Sequence, residues 1–186
     1  MSTQKRLTLS MLLLAGTYAF AQTDSGQQQQ NHPTGAQIVA LDECDPTTFN
    51  ASLGPDFCKN VAIASLGFAT TLQDLFAKAA AGTPDPGWDF EPDTLNIKRG
   101  TPLIITNQGG ERHTFTEVKS FGGGFVEGLN NNQPAVSECE GGFKNVDVAK
   151  TRIIQGSTVK VTGLSAGEHH FQCCIHPWMR VTVAVK

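Results

Sequence analysis

The sequence lacks an apolar run long enough to cross a bilayer. A membrane-spanning helix needs roughly 20 apolar residues, and the most apolar stretch, LTLSMLLLAGTYAF near the start of the chain, is shorter. Positive charge is not in excess either, because 14 Lys and Arg stand against 17 Asp and Glu. We therefore expect neither stable membrane insertion nor binding to nucleic acid.

Motifs of several enzyme classes are also missing. The sequence has no Cys-x-x-Cys-His for c-type haem, no glycine-rich nucleotide-binding motif, and no His-x-His pair of the kind that binds the additional coppers of an oxidase. His169 and His170 are adjacent, so on a strand their side chains point to opposite faces. On this basis the protein is not expected to be an enzyme.

The first 21 residues have the pattern of a secretory signal peptide. Lys5 and Arg6 precede the apolar stretch, and the small-x-small pattern AFA favours cleavage after Ala21. Without those two cations the chain keeps 12 basic against 17 acidic side chains, a formal net charge of −5. The polar, low-complexity residues 22–35 are interpreted as a flexible leader. We expect export to the periplasm or the medium.

Export changes how the five cysteines are interpreted, because disulfides persist outside the cytoplasm. Five is an odd number, so two disulfides leave one thiol that needs a role. Cys44 and Cys58 enclose a turn-rich stretch and are close enough in sequence for a local disulfide, which stabilises by about 3 kcal/mol on the chain-entropy model. Residues 36–84 are predicted to form a disulfide-bridged, partly helical extension.

The extension contains one predicted helix, in TTLQDLFAKAAAG at 70–82. Thr70 or Thr71 is a suitable N-cap, and Gly82 ends the helix. Four apolar residues share the face that is expected to pack on the main body: Leu72, Leu75, Phe76 and Ala79.

From Trp88 onward the sequence consists of short runs with two-residue alternation, rich in Thr, Val and Ile. Gly, Asn, Pro and Ser turns separate these runs, among them DTLNIKRG, TPLIITNQGG, HTFTEV, TRIIQGSTVKVTG and MRVTVAVK. The pattern is typical of an all-β, antiparallel sandwich of Greek-key type, which we assign to residues 85–186. A Gly- and Asn-rich stretch between Val118 and Lys150 is predicted to be a long loop with at most a short strand or helical turn.

The segment HHFQCCIHPWM at 169–179 contains several side chains that can bind a metal. By strand alternation, Cys173 lies on the face directed to the core, whereas Cys174 points the other way. His176 follows Cys173 by three residues, and Met179 follows His176 by three. Taken singly, Cys173 is better explained as a buried structural cysteine and Met179 as core filling.

Taken together, a thiolate, two imidazoles and a thioether form a specific ligand set. Cys173, His176 and a histidine on a distant strand give a trigonal plane, to which Met179 adds a weak axial contact. Copper suits this set because thiolate and thioether are soft ligands for Cu(I), while imidazole binds both oxidation states. Zinc accepts the first three ligands but gains little from methionine. Neither geometry leaves a clearly open position for a substrate.

The C-terminal part of the chain, roughly residues 86–186, resembles the cupredoxins, the family of blue type 1 copper proteins. GEHHFQC is similar to the strand that leads to the family's cysteine ligand, and CCIHPWMR is similar to the ligand loop of amicyanin. IITNQGGERHTF places Asn107 six residues before His113, as expected for the strand that precedes the first histidine ligand. The resemblance implies a cupredoxin sandwich with one mononuclear type 1 copper site, whose ligands are His113, Cys173, His176 and Met179.

The sequence departs from the family at three places. Thr114 stands where an Asn often bridges the ligand loops, a second cysteine follows Cys173, and the insertion between the ligand strands is long. Because Thr114 reaches less far than Asn, the hydrogen bonding around the ligands, and with it the reduction potential, is left open. A disulfide between Cys174 and Cys139 would explain the other two departures, since it pins the inserted loop beside the copper site. Free or differently paired thiols are the alternative.

The resemblance implies a periplasmic protein that carries single electrons. His176, on the loop and nearest to solvent, is the expected exit for the electron. A protein redox partner is expected to dock there, on an apolar rim that includes Pro177 and Trp178. The alternative is a periplasmic copper carrier or sensor that uses the same ligands and exchanges the metal with a partner. The oligomeric state is left open by the sequence.

Overall fold

The computed structural model describes residues 34–60 and 67–186. The predicted signal peptide at 1–21 and residues 22–33 of the predicted leader lie outside these ranges, as does the stretch 61–66. In the part of the chain that is described, no helix combines the length and the apolar character that a membrane span requires.

Ten β-strands form the framework of the described residues. Each run that was predicted as a strand from Trp88 onward contains at least one of them. In the last strand every second residue is buried, as two-residue alternation predicts. The strands are β1 (Ala36–Leu41), β2 (Asp89–Glu91), β3 (Thr94–Ile97), β4 (Leu103–Asn107), β5 (His113–Thr114), β6 (Thr116–Val118), β7 (Arg152–Ile153), β8 (Thr158–Val161), β9 (Gly167–Gln172) and β10 (Arg180–Val185).

The strands form two four-stranded sheets and a two-stranded one within the described ranges. The strand orders are β2-β1-β4-β8 and β3-β10-β9-β6, and β5 pairs with β7. Each larger sheet contains one parallel pair, β1 with β4 and β3 with β10, while the other neighbours are antiparallel. The sandwich is therefore all-β, as predicted, but mixed rather than wholly antiparallel. Parallel neighbours need a crossover, and the residues described between β1 and β4 include two helices and two further strands.

Aromatic side chains occupy the middle of the core. Phe115 and Phe171 stack with their ring centroids 4.4 Å apart, and Phe90 meets Phe115 edge-on at 5.3 Å. Ile105 of β4 and Val183 of β10, from different sheets, are completely buried in the same apolar cluster. Because the core extends to the ends of β5 and β9, it holds in place the segments that carry the predicted metal ligands.

The stretch 36–84 begins with a strand of the sandwich. β1 lies between β2 and β4, with Ile38 opposite Ile105. The sequence analysis gives no strand here, because the short run AQIVAL has too few residues for its period to be recognised. Helix α1 (Pro46–Leu53) was also not predicted; Asp45 caps it by accepting hydrogen bonds from the N–H groups of Thr47 and Thr48. The predicted boundary between an extension at 36–84 and a sandwich domain at 85–186 stays a prediction.

The helix predicted at 70–82 is present as α2 (Leu72–Ala80). Thr71 is its N-cap and accepts the N–H of Asp74. Leu75 and Ala79 are buried as expected, but Phe76 is 38% exposed. Phe76 lies at the edge of the helix face, so it is only partly covered. The expected disulfide between Cys44 and Cys58 is also present, and it encloses α1.

The long segment between β6 and β7 covers the second face of β9. It contains three 3-10 helices (Glu127–Leu129, Ser137–Cys139 and Gly142–Lys144) and the short helix α3 (Val146–Lys150). The predicted disulfide between Cys139 and Cys174 is confirmed. Gln172, on the same face of β9 as Cys174, donates to the carbonyl of Gly122 and accepts its N–H. Both faces of β9 are therefore buried at the end that leads into the predicted ligand loop.

Candidate metal centre

The turn after β4 delivers His113 to the interior. Asn107, the last residue of β4, is completely buried, and its side-chain amide donates to the carbonyls of Glu111 and Ile153 at 2.7 and 3.0 Å. Its side-chain oxygen accepts the N–H of Gly109 at 2.9 Å. These bonds close the turn, and the chain then enters β5, where His113 pairs with Ile153 of β7 and is inaccessible to solvent.

The other three predicted ligands lie on the loop between β9 and β10. Gln172 and Arg180 pair at the base of this loop. The N–H of Cys173 donates to the carbonyl of Met179 at 3.0 Å, and the N–H of Met179 donates to the carbonyl of His176 at 3.0 Å. The loop is therefore short and closed by its own backbone. Its conformation directs Cys173, His176 and Met179 inward, and all three are buried.

Three of the four predicted ligands have their donor atoms in one place. Sγ of Cys173 lies 4.0 Å from Nδ1 of His113 and 3.9 Å from Nδ1 of His176. One donor atom from each of His113, Cys173 and His176 lies within 4.8 Å of the other two. His113 and Cys173 are completely inaccessible, and Met179 is equally buried. All five cysteines lie in the described ranges, and Cys173 is the one without a disulfide partner.

The surroundings of Cys173 favour its thiolate form. Burial raises the pKa of the Cys173 thiol, but hydrogen bonds from His113 and His176 and the positive charge of those rings outweigh burial, so the pKa lies well below its usual range. The backbone N–H groups of Thr114 and His176 also point at Sγ, at 3.4 and 3.5 Å. The thiolate is the form of cysteine that binds metals.

Thr114 connects the two segments that carry the predicted ligands. Its hydroxyl oxygen accepts the N–H of Cys174 at 2.7 Å and the hydroxyl of Thr116 at 3.1 Å. Thr114 is completely buried, so these bonds are shielded from water. The short side chain of Thr114 therefore does bridge β5 and the ligand loop.

A carboxylate faces the far nitrogen of each imidazole. Oδ2 of Asp42 lies 2.9 Å from Nε2 of His113, and Oε2 of Glu111 lies 3.6 Å from Nε2 of His176. Both carboxylates are 2% exposed. The sequence analysis missed both. Asp42 precedes His113 by 71 residues, and no motif spacing connects them.

These contacts shift the pKa values of the metal-free protein. Burial lowers the pKa of His113, but the hydrogen bonds and charges of Asp42 and Cys173 outweigh burial and raise it to about 10. Burial raises the pKa of Glu111 to about 7, against the opposing charge of His176. Oε1 of Glu111 and Nε1 of Trp88 are buried without a hydrogen-bond partner among the described residues.

His176 is covered rather than exposed. It is 1% accessible, and its ring centroid lies 6.0 Å from that of Trp88 and 5.5 Å from that of Trp178. His176 is still the least buried of the four predicted ligands, as expected, but almost none of it reaches solvent. The reason is that the chain after α2 brings Trp88 onto the imidazole. Trp178 is half-buried, so its ring is the one that extends from His176 towards the surface.

The donor set leaves room for a metal ion. Typical bonds of about 2.3 Å to sulfur and about 2.0 Å to nitrogen place the two donor atoms about 3.5 to 3.7 Å apart at tetrahedral or trigonal angles. The observed separations of 3.9 and 4.0 Å are slightly longer, so an ion bound by these residues would fit between them. A thiolate with two imidazoles is a ligand set that suits copper.

The described strands form an all-β sandwich, as the sequence predicted. No family model matches the sequence, and no curated protein matches it. Among solved structures, a purple cupredoxin from Nitrosopumilus maritimus is similar over 81% of this chain and 99% of its own, with 14% identity and a TM-score of 0.41.

Two amicyanin structures are also similar. A reduced amicyanin mutant matches over 52% of this chain and 71% of its own, with 20% identity and a TM-score of 0.33. A Cu(I) form of another amicyanin mutant matches over 57% and 89%, with 18% identity and a TM-score of 0.35.

Proposed function

We propose that the protein carries single electrons through one type 1 copper ion held by His113, Cys173, His176 and Met179. The observation that carries this proposal is the single unpaired cysteine, whose sulfur lies 3.9 to 4.0 Å from two imidazole nitrogens in a site closed to solvent. A copper ion bound there supplies a one-electron couple between Cu(I) and Cu(II). No substrate is required, so no enzymatic activity is proposed.

The residues around the site support this role because they hold the proposed ligands in one arrangement. The ligand loop is closed by hydrogen bonds between Cys173, His176 and Met179, and Thr114 ties that loop to β5. Side chains held in this way move little when the charge of a bound ion changes. Small rearrangement favours rapid electron transfer in both directions.

Burial of the proposed ligands disfavours the alternative, a copper carrier or sensor. Handing the metal to another protein requires access to the donor atoms, and His113, Cys173 and Met179 are completely inaccessible. An electron carrier is expected to lose copper slowly to a chelator, whereas a metal carrier releases it rapidly when its partner is added.

We further propose that a protein redox partner docks over Trp178. This residue is half-buried and its ring meets that of His176 edge-on at 5.5 Å. The electron then passes from His176 to the surface through the indole, in place of direct contact between His176 and the partner. The proposed location is the periplasm or the medium, which agrees with the predicted signal peptide and with two disulfides in one small domain.

The test is the visible spectrum of the copper-loaded protein without residues 1–21. An intense thiolate-to-copper absorption is expected, which disappears on addition of one electron and returns on oxidation. The band is expected to vanish in Cys173→Ala. Copper binding without colour, or colour that survives Cys173→Ala, contradicts the proposed function.

A further inference from the structure

We infer that Asp42 is a positioning residue of the metal centre, which determines the nitrogen that His113 offers to the metal and lowers the reduction potential of the bound ion. The inference rests on the proposed function of the same site. It gives residues 36–84 a part in the chemistry, because Asp42 is the residue that follows β1.

Asp42 is a buried carboxylate whose two oxygens are both occupied. Oδ1 accepts the N–H of Gly110 at 2.9 Å and the N–H of Cys44 at 3.3 Å. Oδ2 accepts the N–H of Glu111 at 2.9 Å and lies 2.9 Å from Nε2 of His113. Three backbone donors stabilise the negative charge and hold the carboxylate in a fixed orientation.

This orientation selects one form of the imidazole in the metal-bound protein. An ionised carboxylate only accepts hydrogen bonds, so the nitrogen that faces Asp42 must carry the proton. Nε2 of His113 is then the donor, and Nδ1 is left with a free lone pair. Nδ1 is the atom that lies 4.0 Å from Sγ of Cys173, on the side where the metal is proposed to bind.

The charge of Asp42 acts on the metal through the same ring. A carboxylate partner makes a metal-bound imidazole more basic, and a more basic ligand stabilises the higher oxidation state. Because Asp42 is 2% exposed, solvent and salt screen its charge weakly. Removal of this charge is therefore expected to favour Cu(I) and to raise the reduction potential.

The surrounding chain keeps Asp42 close to the turn before His113. The disulfide between Cys44 and Cys58 lies two residues beyond Asp42, and the side-chain amide of Asn60 donates to the Asp42 carbonyl at 2.6 Å. A Cβ atom at Gly109 would collide with the Asp42 carboxylate, so this position requires glycine. Residues of both segments, the one that follows β1 and the turn before His113, therefore keep Asp42 close to this turn.

The experiment compares Asp42→Asn with wild type as copper proteins. Asn keeps the size but replaces one acceptor oxygen with a donor, so two of the four N–H groups lose their partner. We expect copper(II) affinity to fall about 10- to 100-fold, as for other partners of metal-bound histidines, and copper(I) affinity to fall less. We also expect a higher reduction potential and a retained visible band. Zinc affinity, which involves no redox step, is expected to fall as well.

Asp45→Asn is the matched control. It removes one negative charge from the same segment, but its carboxylate contacts the N–H groups of Thr47 and Thr48 and neither histidine. Affinity and potential are expected to stay at the wild-type values in this variant. Equal changes in both variants would show a general effect of charge and overturn the inference.

A measurement on the wild-type protein keeps the inference testable if Asp42→Asn does not fold. In the diamagnetic copper(I) form, the Nε2–H proton of His113 is expected as a low-field resonance protected from exchange with water. A His113 that carries its proton on Nδ1 overturns the inference. An Asp42→Asn variant with wild-type copper affinity and reduction potential also overturns the inference. If the wild-type protein is coloured, the proposed function remains intact in that case. A colourless wild-type protein instead contradicts the proposed function itself.

Discussion

The sulfur atoms of Cys173 and Cys174 lie in different environments although the two residues are adjacent. Sγ of Cys173 faces two imidazole rings, whereas Sγ of Cys174 is bonded to Cys139. Strand alternation sends the two side chains to opposite faces, and the segment between β6 and β7 supplies a partner on the second face only. The free thiol of Cys173 is in this way kept apart from the sulfur of Cys174, which belongs to the disulfide.

The first prediction tests this separation. Replacement of Cys139 and Cys174 together by Ser is expected to keep the visible band, because neither sulfur belongs to the proposed site. The free energy of unfolding of the copper-free protein should fall by about 4 kcal/mol on the chain-entropy model, since the disulfide closes a long loop. Guanidinium unfolding and a spectrum of the copper-loaded variant measure the two effects.

The single variant Cys173→Ser is the counterpart. It is expected to abolish the band while both disulfides form normally. A band that is lost in the double variant but persists in Cys173→Ser would reverse the assignment of the metal-binding sulfur.

The second prediction concerns the bridge made by Thr114. Thr114→Val keeps the shape but leaves the buried N–H of Cys174 without its acceptor. The free energy of unfolding is expected to fall by about 1–3 kcal/mol, the usual effect of an unpaired buried polar group. Urea unfolding of the copper-free protein provides the measurement.

Thr106→Val is a control with the same chemical change. The Thr106 hydroxyl pairs with that of Thr158 at 3.0 Å across exposed neighbouring strands, where water can replace the bond. Its effect is expected to stay within about 0.5 kcal/mol. Equal losses in the two variants argue against a particular role for Thr114.

The third prediction concerns pH. Nδ1 of His169 lies 2.6 Å from Oε1 of Glu117, and hydrogen bonds to Glu117 and to the carbonyl of Ser165 raise the pKa of His169. The folded protein therefore holds this proton more tightly than the unfolded chain. The contribution to stability is complete below the unfolded pKa of about 6.5 and is lost as pH rises through the higher folded value.

Glu117→Gln is accordingly expected to be less stable than wild type at pH 5, by about 1 kcal/mol or less because Glu117 is half-exposed. The difference should shrink as the pH is raised past the folded pKa of His169. Urea midpoints of both proteins, measured from pH 5 to alkaline pH, report this difference in stability. A difference that does not change with pH would contradict the pairing of His169 with Glu117.

The fourth prediction concerns the cover over His176. Trp88→Ala is expected to lower the free energy of unfolding by about 3–5 kcal/mol and to speed the loss of copper to a chelator. Phe49→Ala is the control, because Phe49 is equally buried and stacks on Trp88 at 6.2 Å without being a ring neighbour of His176. A similar loss of stability with little change in chelation rate is expected for Phe49→Ala. Equal rates of copper loss to the chelator in the two variants would show that the Trp88 indole does not protect the site.

Local sequence signals predicted much of the fold and the loop of the site. The alternation in β9 separated Cys173 from Cys174, and capping and apolar spacing located α2 near its observed ends. These features depend on residues a few positions apart, where backbone geometry dictates which side chains share a face.

The parts that were missed depend on contacts between distant segments. β1 is recognisable as a strand mainly through its neighbours β2 and β4. Asp42 and Glu111 have no motif that marks them as partners of His113 and His176, because a hydrogen bond between buried side chains leaves no periodic trace in the sequence. The burial of His176 likewise depends on Trp88, which reaches it from a different part of the chain.

The disulfide between Cys139 and Cys174 has a consequence for how the molecule is made. Oxidative folding has to choose among five thiols, and a chain that joins Cys139 to Cys173 instead would have no free sulfur where the imidazoles meet. Cys173 therefore has to stay out of the disulfides until the metal binds it, and early binding of a metal would guard it against mispairing. A redox-balanced refolding buffer and the timing of copper addition are thus expected to decide the yield of mature protein.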